Sequence, residues 1–145
     1  MFKTRLLSGI VLIIIALATI ICGGPVLLVT LLCVSMIGMQ ELYKAVKMRN
    51  DSFCSLEIVS YIGIILYYLG IWLTPVEYHL PILLCGLILI LFVYVFSYPK
   101  YETKQIMAAF FGMVYAGVMM SFIYQTRVLE EGQWLVWLIF ICSWG

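Results

Sequence analysis

LPILLCGLILILFVYVF, residues Leu80–Phe96, contains no charged side chain and no strong polar group. A helix needs about 17–25 predominantly apolar residues to cross the hydrocarbon layer of a bilayer, and this stretch meets the requirement by itself. It is not alone. Apolar runs also cover Leu6–Cys22, Val26–Met39, Ile58–Thr74, Ile106–Tyr124 and Trp134–Gly145. Six runs in 145 residues leave no room for a water-soluble core. The composition agrees, with 66% hydrophobic and 10% charged residues and a mean hydropathy of +1.16. Soluble domains carry about 25% charged residues. The expected fold is therefore all-α: a single polytopic transmembrane domain over 1–145, with about six helices near 6–22, 26–47, 57–74, 80–96, 106–124 and 134–145. The last run has 12 residues, about 18 Å of helix, and is expected to be a truncated span.

The breaks between runs have local causes. Gly23-Gly24-Pro25 reverses the chain, since Gly reaches backbone conformations closed to other residues and Pro suits a first helical turn. Beyond Met39, Gln40 to Lys47 keeps helical spacing, with Leu42, Tyr43 and Val46 on one face. Glu41 and Lys44, three apart, are expected to pair there. Thr74-Pro75 ends the third helix, and Val76–His79 is a short turn into a fourth helix that Pro81 can start. Tyr67, Tyr68, Trp72, Tyr98 and Tyr101 are expected at headgroup level as an aromatic belt.

Charge sets the orientation. Lys3, Arg5, Lys44, Lys47, Arg49, Lys100 and Lys104 precede the first helix or lie in the second and fourth connections, whereas the odd connections hold only Arg127. Cationic connections stay on the cytoplasmic side. The expected N-terminus is therefore cytoplasmic. Lys3 and Arg5 before an apolar stretch with Ala16-Leu17-Ala18 imitate a secretory signal, but the apolar run continues past that point, so an uncleaved first helix is expected.

Residues with chemical potential are few. Glu41 and Glu57 fall at helix edges, and His79 is a single histidine in a turn, short of the three or four ligands a metal needs. Cys22, Cys33, Cys54, Cys85 and Cys142 show no metal-ligand spacing and read as small hydrophobes. No nucleophile constellation, phosphate-cradling glycine loop or nucleic-acid patch occurs, so no catalytic, cofactor or metal residue is assigned in this chain. Ala108, Gly112 and Ala116 share a helical face with Gly117 beside them, a spacing that lets membrane helices approach closely. Met107, Met113, Met119 and Met120 are expected to face lipid or fill gaps.

Three segments carry a resemblance. Lys3-Thr4-Arg5-Leu6-Leu7-Ser8-Gly9-Ile10-Val11-Leu12-Ile13, the Glu41-Leu42-Tyr43-Lys44 end of the second helix, and Trp137-Leu138-Ile139-Phe140-Ile141-Cys142-Ser143-Trp144-Gly145 resemble the membrane portion of bacterial phosphatidate cytidylyltransferases, the CDP-diacylglycerol synthases. The resemblance implies CTP and phosphatidate as substrates, membrane lipids as partners and a divalent metal such as Mg in the full-length enzyme. It also implies that the family's Asp, its Ser-Pro-x-Lys-[ST] loop and its paired acidic residues would follow Gly145, so that this chain alone is inactive. The alternative is a small non-catalytic membrane subunit or half-transporter that forms homo-oligomers through its fifth helix.

Overall fold

The computed structural model describes residues 1–47 and 55–144. Arg49, Asn50, Asp51, Ser52 and Cys54 of the second connection lie outside them. Among the described residues all regular structure is helical. The elements are α1 (Phe2–Cys22), α2 (Gly24–Ala45), α3 (Ser55–Leu73), a 3₁₀ turn (Val76–Tyr78), α4 (His79–Phe96), α5 (Thr103–Gly112), a π-helical segment (Met113–Val118), α6 (Met119–Val128) and α7 (Gly132–Trp144). Among the described residues five helical stretches are long and apolar enough to cross a membrane, with α5, the π segment and α6 counting as one, and a shorter apolar helix follows. The chain is a membrane protein by this measure.

The boundaries differ from expectation in ways the caps explain. α1 begins at Phe2 because Lys3 and Arg5 can lay their stems along an apolar helix while their charges stay in water. The fifth stretch begins at Thr103 because the Gln105 side-chain oxygen accepts a hydrogen bond from the Glu102 N–H at 3.0 Å, filling an otherwise empty donor at the helix start. His79 is not in a turn but opens α4. The fifth stretch is not a continuous α-helix, since its middle is wound as a π-helix.

The chain forms two compact units. One comprises Met1–Leu31 with Phe122–Gly145, the other Leu32–Ser121. In the first, Gly23 and Gly24 both adopt positive φ, +60° and +55°, and so turn α1 into α2 as their sequence demands. The Arg127 guanidinium lies over this turn. Its Nε donates to the Ile20 carbonyl at 3.5 Å, and a Cβ built on Gly23 would stand 3.2 Å from Nη2. A cation at the C-terminus of α1 satisfies an unpaired carbonyl and opposes the negative end of the helix dipole.

In the second unit, α3 is the central helix and packs most extensively against α4. Leu56, Ser60, Gly63, Ile64, Tyr67, Tyr68 and Ile71 make its buried stripe, at the three- and four-residue spacing of one helix face. α4 instead exposes Ile88, Leu91, Phe92 and Val95, as expected where the surrounding solvent is lipid. Close approach comes from glycine. A Cβ on Gly117 would overlap the Ile64 side chain, one on Gly112 would overlap the Tyr43 ring, and one on Gly63 would press on Met113 Sδ.

Candidate functional site

Polar groups inside the second unit fall into two sets. The first caps the π segment with hydroxyls. Winding Met113–Val118 as a π-helix shifts carbonyls off the α-helical ladder, and in hydrocarbon each freed carbonyl requires a partner. Tyr68 supplies one, donating from its hydroxyl to the Gly117 carbonyl at 3.1 Å. That hydroxyl sits 2.9 Å from Ser35 Oγ. Since the Tyr68 proton is committed to Gly117, Ser35 is the donor of that pair. Tyr43 donates to the Ala109 carbonyl at 2.9 Å, and Ser121 donates to the Val118 carbonyl at 2.6 Å while lying 3.5 Å from the Tyr67 hydroxyl. The belt expected of Tyr67 and Tyr68 is therefore wrong. They are 4% and 1% exposed, because α3 runs on to Leu73 and leaves both within the helical packing. Tyr101 is buried as well, whereas Trp72 and Tyr98 are exposed.

The second set gathers where α2 ends and α3 begins. Glu57 is only 2% exposed, and its Oε2 has no hydrogen-bond partner. The Tyr43 hydroxyl lies near it, with Ser60 also beside that hydroxyl. The Tyr43 and Tyr61 rings lie 6.1 Å apart. Tyr101 folds over from the fourth connection, and its hydroxyl accepts the Ser55 N–H at 3.2 Å. Lys100 stands 5.6 Å above the Tyr101 ring. A carboxyl inside a spanning helix is expensive and marks a functional position by default. Here the first-turn location lowers that cost, since the positive end of the α3 dipole favours an anion. Reading Glu57 as a helix-edge residue placed it correctly along the chain and missed its depth.

The other singled-out residues divide clearly. Glu41 and Lys44 are both exposed, and no ion pair joins them; two flexible side chains in water gain too little from pairing to hold one geometry. His79 is 8% exposed with both ring nitrogens unpartnered, its ring 6.4 Å from that of Tyr67. Cys22, Cys33, Cys85 and Cys142 are free and exposed. Met113 is buried beneath Gly63 and Gly86, whereas Met107, Met119 and Met120 are exposed. The divalent metal implied by the resemblance finds no donor set here. Among the described residues no three of His, Cys, Asp and Glu converge, and a lone carboxylate falls far short of the six or so oxygens such an ion takes. These residues do not fit it.

A sequence profile of the cytidylyltransferase family matches residues 3–145, nearly the whole chain. The chain belongs to the cytidylyltransferase family. It is thus of a CTP-using transferase kind, set in apolar helices. No curated protein and no solved structure matches it. In this cytidylyltransferase-family chain the small-residue face of the fifth stretch is spent internally. Gly112 meets Tyr43, Ala116 meets Gly38, and Gly117 meets Ile64.

Proposed function

We propose that this chain is the membrane-embedded N-terminal portion of a phosphatidate cytidylyltransferase. The complete enzyme would join phosphatidate to CTP, a lipid phosphate oxygen attacking the α-phosphorus and pyrophosphate leaving, to give CDP-diacylglycerol. The observation that carries this reading is the family match across residues 3–145 in a chain with five apolar helices of spanning length. A lipid acceptor suits such a chain, because its phosphate resides at the interface those helices cross. The N-terminus and the even connections would face the cytoplasm of a cell with an inner membrane, where CTP is available; the distribution of seven cations against one supports that side. This chain contributes the scaffold and the interfacial cations, and no residue of the bond-making step.

The test uses membranes carrying either the complete gene product or residues 1–145 alone, supplied with radiolabelled CTP and phosphatidate. Labelled CDP-diacylglycerol is expected from the complete product and none from the shorter chain. CTP turnover that ignores phosphatidate would overturn the substrate assignment. Synthesis by residues 1–145 alone would overturn the scaffold role.

A further inference from the structure

Between α3 and α4 a groove of about 230 Å³ is lined by Gly63, Leu66, Ile82, Cys85, Gly86 and Leu89. Two facing glycines make it. They bring the two helices together, a Cβ built on Gly63 standing 3.8 Å from the Gly86 Cα, and Met113 closes the floor, its Sδ lying 3.0 Å from a Cβ built on Gly63 and its Cε 3.1 Å from one on Gly86. The lining is almost wholly apolar, and it lies on helices that span hydrocarbon by length and composition. Leu66 and Leu89 are exposed along its walls, so it opens outward.

What fills it is indicated by the charge at one end. α4 closes at Phe96, Lys100 follows in the next connection and Lys104 in the first turn of α5, both exposed. Tyr101 holds that connection against the start of α3, so the lysines sit at the same end of the α3–α4 pair. Counting back at 1.5 Å per residue, Leu89 lies about 10 Å and Ile82 about 21 Å below Phe96. A lipid whose phosphate rests at the lysines would extend one acyl chain down this distance. We propose that the groove is a binding site for one acyl chain of an anionic phospholipid, with Lys100 and Lys104 holding its headgroup. It rests on the proposed reading only in expecting phosphatidate as the best-fitting headgroup.

The experiment reconstitutes the chain in phosphatidylcholine vesicles containing a small share of phosphatidate with a mid-chain diazirine, then maps photo-crosslinks by mass spectrometry. A parallel sample carries the same diazirine on phosphatidylcholine. Each lysine near the surface favours an anionic lipid by about 1 kcal/mol, roughly five-fold. Crosslinks at Leu66, Cys85 and Leu89 are therefore expected at least about five-fold above those from phosphatidylcholine. The exposed Ile88 and Phe92 should show no such preference. Lys100→Gln with Lys104→Gln, both at exposed positions, should erase the preference, and Leu66→Trp should move crosslinks off Cys85. Equal labelling by the two lipids, or equal enrichment over Ile88 and Phe92, would overturn the site in favour of ordinary boundary lipid. Crosslinking between two copies through Cys85 would overturn it in favour of a second chain. Because the readout is binding, a complete enzyme that ignores phosphatidate while the crosslinks persist would sink the substrate assignment and leave the groove standing.

Discussion

At the scale of single residues, the hydroxyls and the buried carboxyl make opposite predictions. Tyr68 bridges Ser35 and the Gly117 carbonyl, so Tyr68→Phe leaves two buried polar groups short of a partner. Interhelical hydrogen bonds in membranes average about 0.6 kcal/mol and reach about 1.7; the loss should fall toward the upper figure and lower the melting midpoint in detergent, with Ser35→Ala costing less. Glu57 is the reverse case. Its Oε2 is buried without a partner, so a shape-matched apolar residue relieves a desolvation cost. Glu57→Met should leave the midpoint unchanged or higher, and a clear drop would show that the carboxyl serves the fold. Neither residue was legible as such in the sequence. Hydropathy weighs a tyrosine or a glutamate the same whether it points into lipid, into headgroups or into a neighbouring helix. The depth of Glu57 is set by segments distant in sequence, Tyr43 among them.

At the scale of elements, the spans were legible and the π segment was not. Uninterrupted apolar length reveals a helix that crosses hydrocarbon, and glycine or proline marks its ends, so all six runs became helices close to their expected limits. Met113–Val118 contains nothing that announces five-residue winding; its cause is tertiary. Gly112 and Gly117, Met113 and Val118, and Ala116 and Ser121 are buried pairs five apart, a period that an α-helix would spread around its circumference. Deleting the half-buried Val114 removes the extra residue that a π turn accommodates, so α-winding should resume with the flanking faces kept in place. A retained monodisperse peak on size exclusion with unchanged helical circular dichroism is the expected result. Gly117→Ala should cost about 1–3 kcal/mol through the overlap with Ile64, read as a lower denaturation midpoint.

At the scale of the whole molecule, the charge alternation along the chain has structural counterparts within each unit. The first connection meets the end of α6, which leads into the fifth, where Arg127 covers Gly23, and the fourth connection meets the start of α3, which follows the second, at Tyr101 and Ser55. Odd joins odd and even joins even, as a chain that crosses a membrane at every helix requires. The absolute side is a matter for labelling. In a single-cysteine chain, the exposed Cys22 should react with an impermeant maleimide added outside intact cells, while Ser97→Cys should react only after permeabilisation. The reverse pattern would invert the orientation.

Arg127 also bears on the order in which the protein is made. The carbonyl it caps belongs to Ile20, 107 positions earlier in the chain. A ribosome therefore completes and releases α1 and α2 long before the residue that seals the turn between them exists. Until residue 127 is made, that turn must rely on water and on its two glycines alone. It waits 107 positions for its fastener, and that fastener is the one cation the sequence sets apart from the other seven.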